Sequence, residues 1–347
     1  MKKSESALLG AAVLGTGDVS GEHIKAYQRN PYTEVLGILS RDRARAEAKA
    51  AEFGLTNCRA YTDLDELLQD ERIRIVSICT PHHLHVPQGI ACASAGRHMV
   101  VEKPIALDLE GLRRLDAAVR EAGVRTVVSF VLRWNPLFET IKALLADGMI
   151  GEVFYSEVDY LHGIGRGYSG YAWISRKATG GSSLLSAGCH AVDGLRWFLA
   201  GEAVEVFAYA NTSKANPIGY EYEPNSVTLV KFAGGAMGKV ASSIECQMPY
   251  VFNILLTGDR GSIRNNQIFT RRWPGQTGWA TIPTVLPDSG AVTHHPFQAE
   301  IDHLVDSIRN GRESHCNVAD AVKTHEICLA SEISARTGKP VRLPLQP

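Results

Sequence analysis

Gly15-Thr16-Gly17-Asp18-Val19-Ser20 follows the apolar run Ala7 to Leu14 and leads into the amphipathic stretch Glu22 to Arg29. Strand, glycine turn and helix in that order are the setting a dinucleotide fingerprint requires. In that geometry Gly15 makes the tight turn and Gly17 lets the backbone approach a pyrophosphate. The N–H groups that open the helix, together with its dipole, hold the phosphate charge. Ser20 stands where a third glycine is usual and is small enough for helix and strand to pack closely. A Gly-x-Gly pair also serves turns that bind nothing, so the flanking pattern carries the reading. It makes Gly15, Thr16, Gly17, Asp18 and Val19 the first cofactor contacts.

Outward from this turn, strand and helix signals alternate as in a parallel sheet wound with helices on both faces. Val35–Leu39, Ile73–Cys79, His98–Val101 and Thr126–Val131 are short and apolar throughout, as strands buried on both faces are. Between them Arg43–Phe53, Asp63–Gln69, Val86–Ala95 and Leu109–Ala122 have helical periodicity. Beyond about Gly151 the pattern changes. Val153–Leu161, Val204–Asn211, Ser226–Phe232, Met237–Cys246 and Phe252–Thr257 are richer in β-branched and aromatic residues and predict an open, largely antiparallel sheet. Trp273–His295 is expected to be a long loop, and Gln298–Arg309 and Val318–Ala335 return to helical periodicity. The expected fold is an α/β Rossmann domain over residues 1–132 and an α+β domain over 133–347, with a C-terminal helix packing back on the first.

The chain has 347 residues and a formal net charge of −1. That length suits two domains with a core each. Balanced charge favours neither nucleic acid nor an anionic membrane as partner, and no apolar run is long enough to span a bilayer. Seven cysteines without a Cys-x-x-Cys pair read as reduced thiols of a cytoplasmic protein.

Candidate chemistry begins at the end of the second strand, where an acidic residue would bond the adenosine ribose hydroxyls. Ser40-Arg41 stands there, with Asp42 behind. A hydroxyl and a guanidinium suit a 2′-phosphate, so the cofactor is NADP or NAD with NADP favoured. Thr80-Pro81-His82-His83-Leu84-His85 leaves the carboxyl edge of the sheet, and its three histidines lack the carboxylates or cysteines of a metal site. No metal is expected. If Ser182 onward is one helix, Ser186, His190, Asp193 and Trp197 share a face opposite an apolar one, as the wall of a polar pocket would.

These residues resemble the Gfo/Idh/MocA oxidoreductases, which include glucose–fructose oxidoreductase and inositol dehydrogenases. The resemblance runs over nearly the whole chain. It rests on the glycine turn, the Thr80-Pro81 loop with His85, Glu102-Lys103-Pro104, Arg133-Trp134-Asn135-Pro136, Trp173 before Gly180, and the Gly-Gly segment with His190 and Asp193. It implies hydride transfer between a nicotinamide and a carbinol or keto carbon of a sugar, inositol or related polyol, with Lys103 and His190 as the catalytic pair. It also implies a homodimer or homotetramer. The cofactor set then extends to Thr80, Pro81, His82, His85, Glu102, Lys103 and Trp173. The substrate set is Lys103, Arg133, Tyr168, Arg176, Ser186, His190 and Asp193, with Trp173, Lys177 and His294 on nearby loops.

Acid–base chemistry divides the roles. Alcohol oxidation releases a proton, and the best base has a pKa near the working pH. Unperturbed histidine lies at about 6.5 and lysine at about 10.4, which makes His190 the general acid/base and Lys103 the cation that orients the reacting oxygen. Relatives commonly have aspartate where this chain has Ser186. A carboxylate at roughly 4 Å and an effective dielectric near 20 would hold an imidazolium by about 4 kcal/mol, so His190 is expected to be less basic here, with Asp193 as a partial substitute. Two other classes share the motifs: a glycoside-cleaving enzyme that works by transient oxidation and elimination, and a cofactor-binding regulator without turnover.

Overall fold

The computed structural model describes residues 8–214, 218–287 and 290–346, so Ala7 and positions 288 and 289 of the expected loop lie outside it. The chain divides into two compact units. One comprises the chain through Ala106, Glu110–Ser129 and Pro296–Val322; the other comprises Leu107–Leu109, Phe130–His295 and Lys323 to the end.

In the first unit β1 (Leu9–Leu14), β2 (Thr33–Leu39), β3 (Arg59–Tyr61), β4 (Ile73–Ile78), β5 (His98–Val101) and β6 (Thr126–Val128) form one sheet in the order β3-β2-β1-β4-β5-β6. Every pairing is parallel. Chain order reverses between β1 and β4, and their carboxyl ends are in register at Leu14 and Ile78. Such a switch point is where open α/β sheets bind ligands. Helices α1 (Asp18–Arg29), α2 (Arg43–Glu52), α3 (Leu64–Leu68), α4 (His85–Ser94) and α5 (Leu109–Ala122) follow the strands. Asp63 caps α3 by accepting from the Glu66 N–H at 2.9 Å, the first half of a capping box.

Pro296–Val322 is grouped with the first unit, beside the segments that end at Ser129. Residues Phe297, Ile301, Leu304 and Val305 form a buried stripe at helical spacing on one helix, and that stripe must be covered. Each buried side chain contributes about 1.5–3 kcal/mol. The partner is α1: the Phe297 ring lies 5.2 Å from His23, and Asn30 donates to Asp302 at 2.6 Å.

The second unit holds α6 (Pro136–Ala146), two single-turn helices α7 (Tyr171–Ile174) and α8 (Lys177–Gly180), and α9 (Cys189–Leu199). The helix whose Phe297 stripe packs on α1 is α10 (Phe297–Arg309), and α11 (Val318–Thr337) begins in the first unit's segment and ends in the second's. Strands β7 (Val153–Leu161), β8 (Ala203–Asn211), β9 (Asn225–Phe232), β10 (Met237–Ser243), β11 (Val251–Gly258), β12 (Gly261–Arg264), β13 (Gln267–Thr270), β14 (Ala280–Thr281) and β15 (Val341–Arg342) make a nine-stranded sheet ordered β14-β13-β12-β11-β7-β10-β9-β8-β15. Only the β7–β10 pair is parallel among the described strands. One face is covered by α9, which comes so close to β10 that a Cβ on Gly238 would sit 2.5 Å from Leu195. On the other face Tyr209, Val227, Leu229 and Met237 are exposed.

Candidate active site

In the first unit the nucleotide turn is built on β1 and β4. Gly15 has φ +104°, and a Cβ there would lie 2.5 Å from the Cys79 carbonyl oxygen, so the turn admits only glycine. A Cβ on Gly17 would meet nothing within 4 Å, and Gly17 caps α1 without any side-chain bond to its first N–H groups. Open space before a helix start that Gly17 leaves without a side-chain cap fits a pyrophosphate. Ser20 is buried and donates to the Gly17 carbonyl at 2.5 Å, closing the turn from below. At the end of β2, Ser40 is half-buried and Arg41 exposed. Asp42 caps α2 by accepting from the Ala44 N–H at 3.0 Å.

Lys103 follows β5, half-buried, and a cis peptide joins it to Pro104. The turn is tied to the Thr80 loop by His85, whose ring nitrogens lie 2.7 Å from the Pro104 and Thr80 carbonyl oxygens. His85 is fully buried, and burial, the largest influence, holds its pKa below the usual histidine value. Its expected cofactor contact is therefore corrected to a clamp between two loops. His82 is buried as well, and Thr80 donates to Gln88 at 2.6 Å.

The Glu102 side chain also turns away from solvent, into the interior of the unit. Its Oε1 lies 3.1 Å from His23 Nε2, and His23 Nδ1 lies 3.0 Å from Ser77, which Tyr27 joins at 2.8 Å. Ser129 donates to Glu300 Oε2 at 3.0 Å. Burial and then the Glu102 charge push the Glu300 carboxyl well above its usual range. For Glu102 burial acts upward, but His23, Lys103 and Ser129 outweigh it and hold the carboxyl low. As a side-chain ligand of a cofactor Glu102 is thus corrected to a buried anion.

In the second unit the candidate residues centre on His190, buried on α9. Tyr160 stacks on it at 6.0 Å and 24°, and Phe130 meets it edge-on at 6.1 Å. Tyr160 also lies 3.2 Å from His162 Nδ1, and Tyr250 packs edge-on against both. This aromatic surround escaped the reading of the sequence. Its signal was the strand alternation Val158, Tyr160, His162.

The single helix expected through Ser186 and Asp193 is interrupted by a π-helical turn over Leu184–Gly188. A wider turn breaks the i, i+4 register assumed between Ser186 and His190, and Ser186 lies near the Tyr222 hydroxyl. Asp193 accepts a bidentate pair of bonds from Arg133, at 2.7 and 2.5 Å, and a third from Thr324 at 3.1 Å. The two side chains are 2% and 1% exposed, and the guanidinium lies 4.7 Å from the Trp197 ring. Arg133 and Asp193, expected as substrate ligands, thus form a closed ion pair. Trp173 is half-buried; Tyr168, Arg176, Lys177 and His294 are exposed, with Arg176 paired to Glu221 and Lys177 to Glu332. Among the described residues no group is arranged to hold a metal ion, and no helix is long and apolar enough to cross a membrane.

Comparison with known proteins agrees with this architecture. Residues 9–130 match the model of an oxidoreductase family with an NAD-binding Rossmann fold, and residues 138–264 match the GFO/IDH/MocA C-terminal domain. A scyllo-inositol 2-dehydrogenase (NAD(+)) of Bacillus subtilis is 27% identical over 96% of this chain and 95% of its own length. A D-xylose 1-dehydrogenase (NADP(+)) of Haloferax volcanii is 27% identical over 97% and 98%. The crystal structure of GenD2 from gentamicin A biosynthesis, in complex with NAD, is 27% identical, covers 99% of this chain and 98% of its own, and superposes with a TM-score of 0.83. The chain spans only 66% and 52% of two other curated relatives, both uncharacterized oxidoreductases. By its paired domains and its nucleotide turn, the chain belongs to the Gfo/Idh/MocA family of oxidoreductases.

Proposed function

We propose that the protein is an NAD(P)-dependent dehydrogenase or reductase acting on a CH–OH carbon of a sugar, inositol or related polyol. The observation that carries this reading is the Gly15–Gly17 turn, with open space at Gly17 before the start of α1. Gly15, Thr16, Gly17, Asp18 and Val19 would hold the pyrophosphate, and Thr80 and Pro81 the nicotinamide ribose. The bound nicotinamide takes or gives the hydride. NADP is favoured over NAD, because Asp42 is engaged in capping α2 while Arg41 and Ser40 remain to meet a 2′-phosphate.

Lys103 would orient the reacting oxygen and stabilise its developing negative charge. His190 would exchange the hydroxyl proton through Nε2, its Nδ1 being fully buried. The rings of Tyr160 and Tyr250 give the neighbourhood of His190 an apolar surface suited to the C–H face of a polyol. The exposed apolar face of the second sheet, where Tyr209 opposes Val227 and Leu229 opposes both Phe207 and Lys239, is the surface we assign to a homodimer or homotetramer. No observation favours the elimination or regulator readings.

The test is reduction of NADP and of NAD across a polyol panel, followed by absorbance of the reduced nicotinamide. Turnover with at least one polyol, and a lower KM for NADP that Arg41→Ala removes, are expected. Tight cofactor binding with no turnover on any polyol in either direction would overturn the dehydrogenase reading.

A further inference from the structure

His85 joins two loops of the first unit through one ring. Its Nδ1 lies 2.7 Å from the Pro104 carbonyl oxygen, and its Nε2 lies 2.7 Å from that of Thr80. A carbonyl only accepts, so each short contact needs a proton on the ring nitrogen that makes it. Neutral imidazole has one N–H, and its other nitrogen would turn a lone pair on an oxygen. Only the imidazolium holds both loops. The two arms are unequal when one proton leaves. Pro104 is buried, whereas Thr80 is half-buried and partly open to solvent. Neither carbonyl meets another donor among the described residues. A buried acceptor left bare bears its full desolvation, while one near the surface recovers a bond from water. The proton that stays is therefore on Nδ1, facing Pro104, and the one that leaves is on Nε2, facing Thr80. The titratable and charged groups around the ring are His82, with ring centroids 5.7 Å apart, and Glu102 and Lys103 from the turn after β5. Burial, the largest influence, and Lys103 oppose the charge, while the two carbonyls and Glu102 favour it, so the change falls below the ordinary histidine value of 6.5.

We propose that Nε2 of His85 is a proton-operated latch on the Thr80-Pro81 loop, and that binding of the nicotinamide nucleotide takes up one proton there. With Nε2 protonated, the loop is held as it stands in this structure, tied through the ring to the turn that contains Pro104. With Nε2 bare, its lone pair repels the Thr80 carbonyl and that arm opens, while the Pro104 arm stays. The loop starts beside the nucleotide turn, where a Cβ on Gly15 would lie 2.5 Å from the Cys79 carbonyl oxygen. A proton on His85 therefore changes the surface that the cofactor meets. That proton comes from solvent and returns to it, and no other bond is made or broken. The latch stands on the ring geometry alone; its tie to the cofactor rests on Thr80 and Pro81 holding the nicotinamide ribose.

The latch and its linkage are tested separately, both on the full-length protein. Without cofactor, nitrogen NMR of isotopically labelled His85 should show one ring proton, on Nδ1, at neutral pH and two in mild acid. Binding of NAD, which has no 2′-phosphate to titrate, should tighten roughly three- to tenfold between about pH 7 and about pH 5. Calorimetry in buffers of different ionisation enthalpy should show proton uptake over the same range. His85→Asn keeps a donor toward Pro104 and cannot charge, so its NAD affinity should stay level and the uptake should vanish. If that variant does not fold, the wild-type spectra and calorimetry decide. Three results would overturn the proposal: a proton on Nε2 with Nδ1 bare at neutral pH, two ring protons persisting at about pH 8, or NAD binding without uptake. Uptake that persists in His85→Asn would also overturn the linkage. A ring that titrates as expected in a protein that binds no nicotinamide nucleotide would sink the cofactor reading and the linkage together, and would still establish the latch.

Discussion

The two units each bury charge, and they do so differently. In the second unit Arg133 and Asp193 meet as a matched pair, bidentate and sandwiched against Trp197, with opposite charges that cancel where they stand. In the first unit Glu300 has no counter-charge: its Oε1 is buried without a hydrogen-bond partner, its Oε2 accepts from Ser129 at 3.0 Å, and burial pushes its carboxyl well above the usual range. A matched pair is held by its partner, whereas a lone buried carboxyl is tolerated as a neutral acid. Burial of an ionisable group is therefore not one signal: the presence or absence of a counter-charge separates the two cases.

The comparison breaks most sharply at Asp193. Replacing it with alanine leaves the Arg133 guanidinium buried without a counter-charge, and a loss of about 3–5 kcal/mol in urea-denaturation stability is expected. Glu300→Gln should lose less than about 1 kcal/mol by the same measurement, because it replaces one neutral group with another. Equal losses in the two variants would erase the distinction.

His190 sits one helical turn from Asp193 and tests whether that turn is divided between structure and chemistry. His190→Ala is expected to lower kcat by roughly 10²–10⁴ while stability and cofactor affinity stay near those of the wild type. Ser186→Asp sharpens the same point by placing a carboxylate four residues before His190. In alcohol oxidation the acid-side limb of the pH–rate profile should move up by about one unit or more. An unmoved limb would mean that position 186 has no electrostatic hold on His190.

The smallest effect is on stability against pH, and it belongs to the first unit. His98 accepts at Nδ1 from the Arg125 N–H at 3.0 Å, and burial, aided by Arg74 and Arg125, lowers its pKa from 6.5 to about 4. With the folded value below the unfolded one, the contribution is present above pH 6.5 and is lost as pH falls toward 4. Melting temperature should decline over that window, and less so in His98→Asn, whose side chain keeps an acceptor that cannot charge.

Much of the first unit was legible because its signals are local. The Gly15 turn, the short apolar strands and the Asp63 cap each declare themselves within a few residues. What escaped depends on partners far apart in the chain. Arg133 and Asp193 are sixty residues apart, and Ser129 and Glu300 are 171 apart. Nothing in the composition around Arg133 or Glu300 shows which group completes each one. The π turn at Leu184–Gly188 was hidden for another reason: a reading at 3.6 residues per turn imposes regularity on a stretch that lacks it. Strands β3 and β14, of three and two residues, are too short for alternation to register at all.

The return of Pro296–Val322 to the first unit also sets a timetable. On the ribosome, the sheet that carries the nucleotide turn emerges early, yet the α10 stripe that covers α1 emerges only after β7 to β14. The domain that starts first is completed only after most of its neighbour's sheet has been made, and until then the apolar side of α1 is a surface for chaperones to shield.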